Sequence, residues 1–205
     1  MSAPPQSKPL LVCTQSPLRR KFFENIPFEE GVEFTSVDID EKAIGERENP
    51  NENIHDVADR LVRKIARAKL DACMATLPDA TKYGAVLTFD SVAVGGGHIW
   101  EKPENSEECR HRLRLFSPSF PLYVLSAVAI MIPDEVFSWC CTEGAVLTFK
   151  EALPSAVIDE LLRKGEGLTR CTGLNVEDPL IAPYFKHIRG RRETLLGVPL
   201  GVMFK

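Results

Sequence analysis

No apolar run in this sequence approaches the roughly 20 residues that a membrane-crossing helix needs. No excess of one charge is present either. Lys and Arg total 25 against 29 Asp and Glu, a net −4, which leaves no basic footprint for a nucleic acid or a membrane surface. C-x-x-C is absent, as is any Cys/His spacing suited to zinc. The cysteines, Cys13, Cys73, Cys109, Cys140, Cys141 and Cys171, are scattered and read as small buried hydrophobes in a reducing compartment. His55, His98, His111 and His187 are dispersed too, and none pairs with a Ser or Cys in a nucleophilic spacing, which argues against a Ser-His or Cys-His hydrolase. Walker A and G-x-G-x-x-G patterns, internal repeats and low-complexity tracts are missing. Residues 1–8 carry no apolar signal core and read as a flexible tail on a cytoplasmic protein.

What remains is the makeup of an ordinary globular protein, 44% hydrophobic and 26% charged. At 205 residues it is long enough for one large domain or two lobes sharing a core. The most informative stretch runs from Leu10 to Arg20, L-L-V-C-T-Q-S-P-L-R-R. It reads as a short strand entering a helix, with Ser16 as N-cap and Pro17 at the first helical position. Arg19 and Arg20 then sit where the helix dipole already places positive charge. An anion at the helix N-terminus, most simply a phosphate, resolves the conflict. The alternative is a capped surface helix with both arginines in water.

Further along, a strand is expected over Glu33–Ile39, then the acids Asp38, Asp40 and Glu41, and a polar loop from Gly45 to Asn53. A long helix is expected over Ile54–Leu77, with Lys64 beside its apolar face. Ala85–Val94 reads as a strong strand, and Gly95-Gly96-Gly97 as a hairpin turn back through His98–Trp100. A helix near 106–116, two strands over Leu122–Ile132 and Val136–Phe149, and a helix between Pro154 and Gly165 follow. Leu195–Phe204 reads as a final strand or short helix. Without a clean βαβ rhythm, the expectation is an α/β fold with a mixed central sheet flanked by helices.

Asp90 stands inside an apolar strand, on the face shared by Val86, Thr88, Val92 and Val94. A buried carboxylate demands a cation or strong donors, so a metal ion or catalytic water is the functional reading and backbone N–H groups the bland one. The hairpin brings Lys102 near Asp90 if Asp90 faces a cleft. Lys64 either snorkels or reaches a phosphate. Asp40 and Glu41 either bind a divalent cation or are solvated. Arg189, Arg191 and Arg192 read as surface.

These segments together resemble the Maf family of nucleoside triphosphate pyrophosphatases. The helix start S-x-S-P-x-R-R is matched by Thr14 to Arg20, and the family's D-E pair by Asp40-Glu41. A helix lysine is matched by Lys64, with Lys69 as the competing choice. The G-A-D-T-V-V strand is matched by Thr88 to Ala93, G-K-P by Glu101-Lys102-Pro103, and V-G-L-P by Leu196 to Pro199. Two departures stand out. Phe89 replaces a small residue before the aspartate, and Glu177 stands where many members carry Gln, as in the branch that prefers 7-methyl-GTP.

The resemblance implies a single Maf/ITPase-like domain over residues 9–205, with two lobes around a cleft. It implies hydrolysis of a nucleoside triphosphate, such as 7-methyl-GTP, dTTP, UTP or CTP, to the monophosphate and pyrophosphate. Ser16, Arg19, Arg20, Lys64 and Lys102 would bind the phosphates, and Glu177 would favour a cationic base. Glu41 and Asp90 would hold Mg2+ or Mn2+, and Asp90 would activate water. Trp100 is expected to pack in the hairpin, with stacking on the base as the lesser option. A homodimer is what the family suggests. The rival expectation is a degenerate nucleotide-binding regulator of cell division or septum formation, favoured by Phe89 and the divergent Thr172–Asp178 segment.

Overall fold

The computed structural model describes residues 7–203. Seven strands form one mixed sheet: β1 (Leu10–Cys13), β2 (Val32–Thr35), β3 (Ala85–Gly95), β4 (His98–Trp100), β5 (Leu122–Ile132), β6 (Phe137–Phe149) and β7 (Phe185–Arg189). The order is β2-β1-β3-β5-β6-β7, with β4 pairing β3. Strand β1 runs parallel to β2 and β3, and the remaining pairs are antiparallel. The helices are α1 (Pro17–Glu24), α2 (Ile54–Thr76), α3 (Ser106–Leu115), α4 (Ser155–Lys164), α5 (Arg192–Leu195) and α6 (Leu200–Met203). The expected mixed sheet with flanking helices is what forms. Among the described residues, no helix is long and apolar enough to cross a membrane.

Alternation along β3 decides what each face buries. Val86, Val92 and Val94 share a cluster with Leu61, Ile65 and Leu70 of α2. Leu87 and Phe89 point the other way, to Phe23 of α1 and Met203 of α6. Further along that second face, Ala93, Leu122 and Phe149 pack with Leu113 of α3 and Ile158 of α4.

The length of β1 creates the site. Its last pair with β3 is Cys13↔Thr88, while β4 pairs on that edge of β3 only from Ala93 onward. Residues 89–92 of β3 therefore have no strand beside them on this edge, although β5 still pairs them on the other. The sheet carries a slot there, at the carboxyl end of β1, which is where open α/β sheets place ligands.

Several boundaries differ from expectation. Strand β2 stops at Thr35, because β1, its partner, ends opposite at Cys13. The residues beyond, expected to be strand to Ile39, bend towards the slot. Val136 leaves β6 to form a left-handed turn residue at φ 51°. Strand β7 was not expected; Lys186-His187-Ile188-Arg189 is exposed and lacks alternation, so pairing with β6 alone defines it. The apolar C-terminal stretch forms two short helices, with Phe204 outside the described residues. The expected hairpin forms, with Gly96 and Gly97 at φ 59° and 81°, as a two-residue turn with both φ positive requires. Of the expected tail, residues 1–8, only Ser7 and Lys8 are described, and Lys8 ion-pairs with Asp134 at 2.6 Å.

Candidate active site

The helix start folds as its chemistry dictates. Ser16 is the N-cap, its Oγ accepting from the Arg19 N–H at 3.4 Å, and Pro17 follows. The two arginines then part company, because consecutive helical residues point about 100° apart. Arg19 reaches towards β3. Its Nε donates to the Gly197 carbonyl at 2.9 Å, its Nη2 to Ser91 Oγ at 2.8 Å, and its guanidinium lies 5.5 Å from the centre of the Phe89 ring. Arg20 turns to the opposite neighbour, donating to the Thr14 carbonyl at 3.3 Å and lying over Phe34 of β2.

A cavity opens at the slot, lined by Thr14, Gln15, Arg19, Asp38, Glu41, Lys69, Phe89 and Lys102 among others. Lys69 is its central charge. Its ammonium is 2.8 Å from Asp90 Oδ1 and 2.7 Å from Glu41 Oε1. The side chains of Lys69 and Asp90 are only 15% and 10% exposed. Asp90 enters from the α2 face, as its alternation with Val86 and Val92 requires, whereas Arg19 comes from the opposite face through the slot. Glu41 opens a single helical turn, Glu41–Ala43, whose cap is Asp40. Lys102, exposed and without an ion pair among the described residues, lines the mouth just after β4.

Burial raises the Asp90 carboxyl above its usual range, with the Glu41 charge adding to the rise and Lys69 and Arg19 opposing it. Burial opposes the charged form of Lys69, yet Asp90 and Glu41 hold its ammonium above the usual range. Burial also works to raise Glu41, but Lys69 outweighs it and keeps that carboxyl low. Burial presses the Arg19 guanidinium downward against the pull of Asp90. Cys171, close to both Asp90 and Arg19, is pushed up to about 11 by burial and the Asp90 charge, so it is a neutral thiol.

The structure thus brings together Asp90, Arg19, Lys102 and Glu41 of the residues expected at the site. Lys64 is not with them. Positions Val57, Ala58, Leu61, Val62, Ile65, Ala66, Leu70 and Cys73 are the buried stripe of α2. At about 100° per residue, Lys69 falls on the middle of that stripe and Lys64 on its margin. Lys64 is accordingly exposed, beside Gly45. A lysine centred on an apolar face was the signal in the sequence that pointed to Lys69.

Ser16 and Arg20 do not line the cavity, since one is spent on the helix cap and the other on Thr14 and Phe34. Nor does Glu177. Its neighbours Val176 and Asp178 turn inward, and Glu177 faces outward towards Arg192 at 3.6 Å. Trp100 packs as expected, stacked on Phe120 at 5.7 Å under the Arg112 guanidinium. Phe89 leaves Asp90 unobstructed, because it points to the other sheet face and packs on Phe23 at 5.7 Å.

Among known proteins, a dTTP/UTP pyrophosphatase of Pelodictyon phaeoclathratiforme is 26% identical over 199 residues, covering 96% of this chain and 94% of the relative. A 7-methyl-GTP pyrophosphatase of Dictyostelium discoideum is 27% identical over 200 residues, covering 94% and 92%. The crystal structure of a nucleoside-triphosphatase / dITP/XTP pyrophosphatase from Mycobacterium abscessus matches 69% of this chain and 74% of its own at 15% identity, and its TM-score of 0.35 is too low to bear on the fold. The model of the family described as Maf-like protein matches residues 9–205, and with that span accounted for the chain belongs to the Maf family.

Proposed function

We propose that this chain hydrolyses a nucleoside triphosphate between its α- and β-phosphates, releasing the monophosphate and pyrophosphate. The observation that carries the reading is Lys69, which lines the cavity with Glu41, Arg19 and Lys102 and pairs with both Glu41 and the buried Asp90. The pyrophosphatases named above, similar over nearly their whole length, support it.

Oδ1 of Asp90 is committed to Lys69, which leaves Oδ2 to accept a proton from the attacking water. Arg19 is pre-set by its bonds to Ser91 and Gly197, so its charge meets the phosphates without reorganising. Lys102 takes up charge building on the departing pyrophosphate. Phe89 lies against the Arg19 guanidinium, 5.5 Å from ring centre to charge.

The donors suit a divalent cation of the Mg2+ kind. Glu41 and Asp90 offer two carboxylates, and no group of three or more His, Cys, Asp or Glu among the described residues forms a closed cage. Mg2+ takes one or two carboxylates and fills its shell with water and phosphate oxygen. When bound there, it would neutralise phosphate charge.

The base is open between the relatives' substrates. Glu177 faces away from the cavity, so the geometry does not support a carboxylate reading a methylated guanine. Pyrophosphate release with Mg2+ and a panel of 7-methyl-GTP, dTTP, UTP and CTP tests the reading. Turnover of at least one is expected, with Asp90→Asn lowering kcat by about 10^2–10^4 in a folded protein. Full activity in that variant, or tight nucleotide binding without pyrophosphate, overturns it in favour of a binding protein.

A further inference from the structure

We infer that Arg47 is a positioning residue: it ties the turn carrying Glu41 to the segment carrying Lys102 and so fixes the separation of those two charges across the cavity mouth. Its guanidinium is saturated by the protein. Nε donates to Glu101 Oε2 at 3.0 Å. Nη2 donates to Glu101 Oε1 at 3.0 Å and to the Glu41 carbonyl at 2.8 Å. Nη1 donates to the carbonyls of Ile44, Gly45 and Lys42 at 2.6, 3.2 and 3.3 Å. A guanidinium has five N–H donors, and all five are engaged, so none is left for a ligand. This arginine organises the pocket rather than binding in it.

The tie is anchored at both ends. On one side it caps the backbone from Glu41 to Gly45. On the other it grips Glu101, the residue before Lys102, in a bidentate pair whose side chains are 25% and 33% exposed. Arg112 of α3 donates to the Glu101 carbonyl, so the fixed point is the helix itself. Two more pairs cross between the same segments, Lys42–Glu104 at 2.7 Å and His98–Glu48 at 3.7 Å. Both are largely exposed and contribute little. A lysine at 47 has neither the planar fork nor the donors to replace Arg47.

The kinetic part of this inference rests on the proposed hydrolysis; the structural part does not. Amide hydrogen exchange reads the tie directly. Glu101→Ala removes the partner of Arg47 without altering residues 41–48, and exchange at 41–48 is expected to quicken about tenfold with the circular dichroism unchanged. Unchanged exchange there overturns the inference, and Glu101→Gln, which keeps the volume, repeats the measurement should the alanine variant not fold. In pyrophosphate release, Arg47→Ala and Glu101→Ala are each expected to raise KM about tenfold, the double variant to do no worse than Arg47→Ala, and Arg47→Lys to give no rescue. Losses that multiply in the double variant, or rescue by lysine, overturn it. A wild-type protein with no turnover would sink the functional reading and leave the exchange experiment to decide this one.

Discussion

Lys69 satisfies two carboxylates with one ammonium, and that makes it the hardest charge in the cavity to replace. Lys69→Met leaves Asp90 buried beside Glu41 with no cation in contact. The expected loss is about 2 kcal/mol in urea unfolding, because removing one member of a buried pair strands the other. Pyrophosphate release should fall by at least about a hundredfold. Lys64→Met, exposed on the same helix, should stay within about 0.5 kcal/mol and about twofold of wild type. Equal effects at the two positions would remove Lys69 from the site. This contrast also shows what was readable at the level of single residues. Asp90, Arg19, Lys102 and Glu41 were legible because each broke a local rule or completed a motif. Lys69 broke a rule as well, a charge centred on an apolar stripe, yet the motif drew attention to Lys64. Arg20 and Glu177 were not legible, since their directions depend on which strand or loop lies beside them.

At the scale of elements, local signals held where short-range chemistry acts alone: the Ser16 cap, the Gly96-Gly97 turn and the left-handed Gly165 after α4. They failed where a partner decides, as at β2, whose length copies β1, and β7, which exists only through β6. The turn after α5 belongs to the second kind. Gly197 has φ 87°, and a Cβ added there would stand 2.6 Å from Arg19 Nη2. Gly197→Ala should therefore cost about 1–2 kcal/mol for the backbone alone and displace Arg19, seen as a raised KM with little change in kcat. The loop after α4 is held by Asp178, which pairs with Lys164 at 2.6 Å and accepts from the Leu180 N–H at 2.9 Å. Burial works to raise this carboxyl, but the Lys164 and Leu180 bonds outweigh it and keep it low. A depressed folded-state value means the stabilisation is complete above the ordinary carboxylate range, near pH ~4, and is lost as pH falls through the folded value. Asp178→Asn should flatten the acid limb of stability against pH below about pH 4 and cost about 1–3 kcal/mol at neutral pH. An unchanged acid limb would show that the pair contributes nothing.

On the scale of the whole molecule, the slot in the sheet collects charge from both faces, and the charges nearly cancel. Arg19, Lys69 and Lys102 stand against Asp38, Glu41 and Asp90. On the proposed reading a triphosphate carries several negative charges into a cavity whose side chains, with Asp90, sum to about zero, and a divalent cation would offset part of that charge. Among the described residues no three acidic, His or Cys side chains cluster to cage that cation, and Glu41 and Asp90 are both already held by Lys69, so the metal should bind weakly until phosphate oxygens complete its shell. Chelation with EDTA should accordingly leave the melting temperature of the nucleotide-free protein unchanged. A nucleotide it turns over should raise that temperature only with Mg2+ present, and the measurement calls for a slow analogue such as an α,β-non-hydrolysable triphosphate. At about one hundred times its Kd such a ligand adds about 2.7 kcal/mol, which for a chain of this size is roughly 5–10 °C. A strong shift on adding Mg2+ alone would mean a metal cage that Glu41 and Asp90 cannot make, and an equal shift with nucleotide in EDTA would mean that the side chains neutralise the phosphates unaided; either result breaks the charge argument for the accompanying cation.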